Sequence, residues 1–170
     1  MHDVVNQILN ETAKRVAAIE IPYQDEHEIE KDKKRDIVAA IRKKQIEGYI
    51  PVISEVKPAS PSQKYMDIPP EKAATIATQM EKAGAVAISV LTEPKFFHGS
   101  LANLENVRRE VDVPVLRKDF IIHEKQLGET SCDIILLITG VLGARLGEFV
   151  DLAIAKGMEP LAETQNEEEL

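Results

Sequence analysis

"AVAISVLTEPKFFHGSLANLENVRREVDVPVLRKDF", residues 85–120, contains a complete strand–helix–strand unit. "AVAISVLT" (85–92) and "VPVLRKDF" (113–120) are short apolar runs of strand character, and residues 101–110 read as a helix that Ser100 can cap. Strands that are continuously apolar and joined through a helix pair in parallel, with helices covering the sheet. The crossover is right-handed by the usual chirality of such units.

The same alternation extends in both directions. "PVISEVK" (51–57), "DIILLI" (133–138) and "EPLAET" (159–164) read as further strands, with helices near 69–83, 124–130 and 144–156. Pro69 and Pro70 suit a helix start, while Gly84 and Gly157 suit helix ends. Upstream, Val4, Val5, Ile8, Leu9, Ala13, Val16 and Ala17 recur at helical spacing and predict a helix over 3–19. "RDIVAAIRKKQIEG" (35–48) predicts a second helix, and the charged run 23–36 between them reads as a solvated connector. The expected division is a helical extension, 1–48, followed by five βα units, 49–170.

On physical grounds alone, five such units suggest an open, doubly wound sheet. A closed (β/α)8 barrel takes about 250 residues. One feature points the other way. In "NEEEL" (166–170), Asn166 can cap a helix start, with Glu169 completing a capping-box-like pair. A start signal with no helix behind it suggests a chain cut short, the other reading being a frayed acidic tail.

Composition narrows the function classes. The chain has 170 residues, 44% hydrophobic and 29% charged, and is most simply one soluble domain. Its net charge of −8 argues against nucleic acid or an anionic membrane as the main partner. No apolar run approaches the roughly 18 residues that span a bilayer, and the N-terminus does not read as a signal peptide. Cys132 is the only cysteine, which fits a reducing cytoplasm. His2, His27, His98 and His123 lack ligand spacing, so no metal site is expected. Neither GxGxxG nor GxxxxGK[ST] occurs, which disfavours dinucleotide or nucleotide binding through those loops.

Ligands of parallel α/β proteins bind at the carboxyl ends of the strands. Those ends carry Glu55 and Lys57, Glu93, Lys118 and Asp119, and Glu163. Glu55 and Lys57 are two residues apart and share a face of their strand. A carboxylate and an ammonium in a water-poor mouth shift each other's proton affinity and can act as general acid and base. A single charge at a strand end is usually just solvated; its repetition on four strands points to a site. "SPS" (60–62) is a turn whose hydroxyls can also hold phosphate or carboxylate, and "KFFHGS" (95–100) offers aromatics for the core or for stacking.

Together, "ISEVKPASPS" (53–62), "ISVLTEPKFFHGSL" (88–101), "PVLRKDFII" (114–122) and "GMEPLAETQNEEEL" (157–170) resemble the successive strand-end signatures of the indole-3-glycerol-phosphate synthase family. The resemblance covers nearly all of 35–170, and the two N-terminal helices resemble that family's extension. It implies a (β/α)8 TIM-barrel lyase of tryptophan biosynthesis, represented here by five of eight units. The implied substrate is 1-(2-carboxyphenylamino)-1-deoxyribulose 5-phosphate, closed to an indole with loss of carbon dioxide and water, without metal or organic cofactor. The resemblance makes Lys118 the general acid, Glu163 its partner in dehydration, and Glu55 and Lys57 catalytic companions. It assigns Ser60, Phe97, Phe120 and Leu137 to substrate binding.

The family's sixth to eighth strands, with an asparagine, a glutamate and the main phosphate site, have no counterpart here. That implies little activity from this chain alone and a need for a complementary chain or self-association. Two other readings stay open: a non-catalytic partial barrel, and a related sugar-phosphate barrel enzyme. The connection from Asp119 to "DIILLI" looks about one helical turn shorter than in many members, which bears on the helix expected near 124–130. Thr139-Gly140 and Thr164-Gln165 are less typical at their strand ends.

Overall fold

The computed structural model describes residues 3–20 and 35–169, apart from the side chain of Glu168. Residues 23–34 of the charged connector, His2 and His27 lie outside the described residues. The chain begins with helices α1 (Asp3–Ala17) and α2 (Ile37–Ile46), then enters strand β1 (Ile53–Val56). A small antiparallel hairpin follows, β2 (Ala59–Ser60) with β3 (Gln63–Lys64). Next come α3 (Pro70–Lys82), β4 (Ala87–Leu91), α4 (Leu101–Glu110), β5 (Val115–Lys118) and β6 (Ile134–Ile138). A short helix α5 (Thr139–Leu142), then α6 (Leu146–Ala155) and β7 (Glu159–Glu163) complete the order.

The local signals account for the boundaries. The Ser100 hydroxyl accepts the Asn103 N–H at 3.1 Å and so starts α4. Pro70 opens α3, and Gly84 ends it at φ +102°, a conformation that a β-carbon disfavours. At the far end, Asn166 Oδ1 accepts the Glu169 N–H at 3.1 Å. The Glu169 carboxylate reaches back to the N–H of Gln165 at 2.9 Å, giving a variant of the expected capping pair.

The five long strands form one parallel sheet in the order β1-β4-β5-β6-β7. Each new strand adds to the same edge. Val56, Ile88, Val90, Val115, Ile135 and Leu137 pack on one side with Ala73 and Ala77 of α3, Leu104 and Val107 of α4, and Phe149 and Ala153 of α6. All three long crossover helices therefore cover a single face. A doubly wound sheet reverses its strand order and is covered on both faces, so that expectation is overturned. The winding is that of a (β/α) barrel. Each large apolar side chain fully buried here contributes roughly 1.5–3 kcal/mol.

The opposite face carries Ala87, Leu116, Ile134, Leu136 and Ile138, and Ile37, Ala40 and Ile41 of α2 pack against it. An Arg35–Asp133 ion pair of 3.3 Å ties the start of α2 to the amino end of β6. At the carboxyl ends, α1 is held by Arg15, whose guanidinium donates to both oxygens of Asp119 at 2.9 and 3.0 Å. Lys125 Nζ adds a bond to the Ile19 carbonyl at 3.0 Å. The two N-terminal helices thus reach opposite ends of the same sheet face.

The helix expected over 124–130 is instead a five-residue 3-10 turn, Glu124–Gly128. The shortened connection leaves too little chain for a full crossover helix, and side chains close it. Gln126 Oε1 accepts the N–H groups of Ile122 and His123, and its amide donates to the Phe120 carbonyl. No helix among the described residues is long and apolar enough to cross a membrane.

Candidate active site

Glu55 organises the carboxyl end of β1. Its Oε2 accepts a bond from Lys118 Nζ at 2.9 Å and one from Ser89 Oγ at 3.3 Å. Lys57 Nζ lies 3.6 Å from Oε1. The register explains the reach. Glu55 pairs with Ser89 on β4, Leu91 pairs with Lys118 on β5, and all four residues stand on the face opposite the crossover helices. β4 lies between the two charges, and its small Ser89 side chain leaves room for them to meet. All three charged side chains are about a third exposed, so the pairs contribute only about 0–1 kcal/mol to stability. Their consequence is positional: one carboxylate holds two ammonium groups.

An aromatic wall stands beside them. Phe120 follows Lys118 by two residues, and its ring lies 6.2 Å from that of Phe97, tilted by 35°. Ser60, in the β2–β3 hairpin, has its hydroxyl 3.4 Å from each of Ser62 Oγ, the Gln63 carbonyl and Tyr65 Oη. Three long contacts hold it loosely, leaving it able to turn toward a ligand.

Glu163 ends β7 opposite Ile138 in register. With Val5, Phe120, Ile138 and Asn166 it lines a cleft of about 610 Å³. Phe120 is common to the cleft and the aromatic wall, so it joins Glu163 to the Glu55 side of the mouth.

Two other strand-end charges have structural roles. Asp119 is buried and accepts from Arg15, from Arg117 Nη2 at 3.1 Å, from Thr92 Oγ1 at 2.8 Å and from its neighbour's N–H at 2.8 Å. Burial by itself lowers the Arg117 pKa, but Asp119 and Glu129 more than compensate and raise it. Glu93 is likewise buried, and its carboxylate is occupied by backbone N–H groups of the following loop.

Cys132 is buried beside Met158, with the sulfurs 3.3 Å apart. Burial pushes its thiol from the ordinary 9.0 up to about 12. Between those values the unfolded chain loses the proton while the folded chain keeps it, so this group's contribution falls as pH rises through that window. Stability of the native chain should therefore drop more steeply from pH 8 to pH 10 than that of Cys132→Ala, as urea unfolding at each pH will show. Equal slopes would mean the thiol is not protected.

A family profile described as indole-3-glycerol phosphate synthase matches residues 4–170. The chain belongs to the indole-3-glycerol phosphate synthase family. It is 42% identical to the enzyme of that name from Methanocaldococcus jannaschii over 87% of this chain and 57% of the relative. The Methanopyrus kandleri relative is 47% identical over 71% of this chain and 49% of its own length. The Streptomyces griseus relative is 38% identical over 99% of this chain and 62% of its own length. The chain spans about half the length of the curated relatives it matches.

Of the residues that the indole-3-glycerol phosphate synthase resemblance singled out, the structure brings Glu55, Lys57 and Lys118 into one cluster, with Phe97 and Phe120 as a wall. Ser60 sits on the adjoining hairpin, and Glu163 in the cleft. Leu137 is not part of this arrangement. It is fully buried in the helix-side core, and the site-face positions of β6 are Leu136 and Ile138. The sequence reading also missed Ser89 and Val5. Ser89 had a signal: a lone polar residue within "AISVL", on the parity that Glu55 sets across the sheet.

Proposed function

We propose that this chain forms the amino-terminal part of an indole-3-glycerol-phosphate synthase site and acts on 1-(2-carboxyphenylamino)-1-deoxyribulose 5-phosphate. The observation that carries the reading is the Glu55 carboxylate held between Lys57 and Lys118 beside the Phe97–Phe120 wall. In this reading residues 1–48 are an extension and 49–170 the catalytic sheet.

The reaction begins when the ring carbon that carries the carboxylate attacks the ribulose ketone. Lys118 gives its proton to the ketone oxygen as the new carbon–carbon bond forms. Carbon dioxide then leaves, and its bonding electrons restore the aromatic ring. Glu55 fixes the Lys118 ammonium in place and offers a route for its reprotonation, while Lys57, at the carboxylate's other oxygen, meets the substrate's anionic groups. In the second stage the ring nitrogen pushes out the hydroxyl, which takes a proton from the reprotonated Lys118 and departs as water. Glu163 removes the carbon-bound proton that completes the indole. Phe97 and Phe120 hold the anthranilate ring, and Ser60 closes over it. Every step is a proton transfer or the making or breaking of a carbon–carbon or carbon–oxygen bond, with no net oxidation or reduction, so the proposal calls on no metal or organic cofactor.

The test is a chimaera of residues 1–170 joined to the remaining part of the Methanocaldococcus jannaschii relative. It should convert the substrate to a product with indole fluorescence. A folded chimaera without turnover would refute the reading.

The sheet edges support a companion proposal. Leu161 of β7 and Ile53 of β1 are each 40% exposed, and Ile50 before β1 is 86% exposed. An open sheet edge flanked by apolar residues favours association. A complementary chain, or a second copy, would cover these edges. Sedimentation of the purified chain should give a species heavier than 18.9 kDa, and a stable monomer would count against it. We also place the chain in the cytoplasm, a reading supported by its single, unpaired cysteine and checked by cell fractionation.

A further inference from the structure

Glu93 lies two residues beyond β4 and is only 2% exposed. Such a carboxylate ordinarily faces a cation when buried. Here its partners are three successive backbone N–H groups: Lys95 on Oε1 at 3.0 Å, and Phe96 and Phe97 on Oε2 at 2.7 and 2.9 Å. Its own carbonyl accepts the Gly99 N–H at 2.8 Å. Residues 94–99 are therefore closed onto one residue from both ends.

Two backbone features constrain the path of the loop. A β-carbon on Gly99 would lie 2.2 Å from the Leu91 carbonyl oxygen, and His98 is held at φ +53°. In this path the Phe97 ring is presented to Phe120, while the Phe97 carbonyl accepts the Ala59 N–H at 3.1 Å. Ala59 immediately precedes Ser60 and shares its short strand.

We propose that Glu93 is a positioning residue that sets the Phe97 ring and, through the Phe97 carbonyl, the hairpin carrying Ser60. The ring and the hydroxyl assigned to the ligand thereby share one frame. This inference rests on the functional reading above for what the frame holds. A carboxylate is required because both of its oxygens accept. Glutamine keeps a single acceptor oxygen and would turn an NH₂ group toward a backbone donor. Glu93 itself touches none of the reacting atoms in this scheme.

The test uses the 170-residue chain and the ketone-reduced substrate, whose anthranilate ring is a fluorescent probe. Glu93→Gln should speed hydrogen exchange at the Phe96, Phe97 and Ala59 amides by about tenfold or more, the scale of one charge-assisted hydrogen bond. Exchange in β5 and β6 should stay as in the parent chain, and probe affinity should fall by a similar factor. Phe97→Leu should weaken the probe without changing Ala59 exchange. Glu93→Asp, which keeps the charge but is one methylene shorter, should recover part of the protection.

Unchanged Ala59 exchange in Glu93→Gln would overturn the link to the hairpin. A uniform rise across the sheet would make Glu93 a residue of general stability, and unchanged affinity despite faster loop exchange would remove its positioning role. If the parent chain fails to bind the probe, the affinity measurements pass to the chimaera, and a chimaera that also fails to bind ends the functional reading and the ligand-positioning role with it. The exchange pattern would then decide only the Glu93–Phe97–Ala59 coupling.

Discussion

Lys118→Ala in the chimaera should lower turnover by about 10²–10⁴-fold, the usual worth of a placed general acid, with only a modest loss of substrate affinity. The reason is geometric. Lys118 ends β5 on the site face, and its ammonium is aimed by the 2.9 Å bond to Glu55. Removing it leaves the ketone oxygen without a proton donor as negative charge develops. Lys57 does not substitute, because its ammonium sits at the other oxygen of Glu55, 3.6 Å away. Binding should persist because the ring contacts lie with Phe97 and Phe120. Steady-state rates and a fluorescence titration of the ketone-reduced substrate separate the two effects. Turnover at the parent rate would remove Lys118 from the mechanism.

Asp119→Ala should cost the chain about 3–5 kcal/mol, the range for removing one partner of a buried ion pair. Asp119 is fully buried and serves Arg15, Arg117 and Thr92 together. Its loss leaves Arg117, with a side chain only 1% exposed, to Glu129 and the Gln126 carbonyl alone. It also releases α1, since Arg15 has its bidentate partner there. Urea unfolding of native and variant chains provides the check. An unchanged midpoint would show that this cluster does not hold the strand ends together.

These two neighbours illustrate how far the sequence could be read. Lys118 and Asp119 both stand at the end of an apolar strand and look equivalent in the linear pattern. Strand alternation sends Lys118 to the site face, while Asp119, just past the strand, turns into a buried cluster whose partner Arg15 is 104 residues away. No local spacing announces such a partner. Glu93 was opaque for a different reason, because its partners are nearby backbone groups of a kind that nearly every residue carries.

The apolar strands and their helices were legible from periodicity and punctuation, as Ser100 and α4 show. Winding was not, because "β then α" is common to open and barrel sheets until strand order is known. Within "IILLI" (134–138) every residue is apolar, so nothing marks which alternate set faces the site. The resemblance's assignment of Leu137 to the pocket therefore had no alternation to check it, and Leu136 and Ile138 hold the site face instead. The Glu55–Lys57 pair was readable because two charges at strand spacing must share a face.

The most direct test of the central claim is a crystal structure of the chimaera with the ketone-reduced substrate bound. The account predicts the anthranilate ring against Phe97 and Phe120, with the oxygen that replaces the ketone within hydrogen-bonding distance of Lys118 Nζ. Glu163 should face the opposite side of the same molecule. A ligand whose ring lies away from both phenylalanines, or whose reduced carbon lies beyond reach of Lys118, would contradict it.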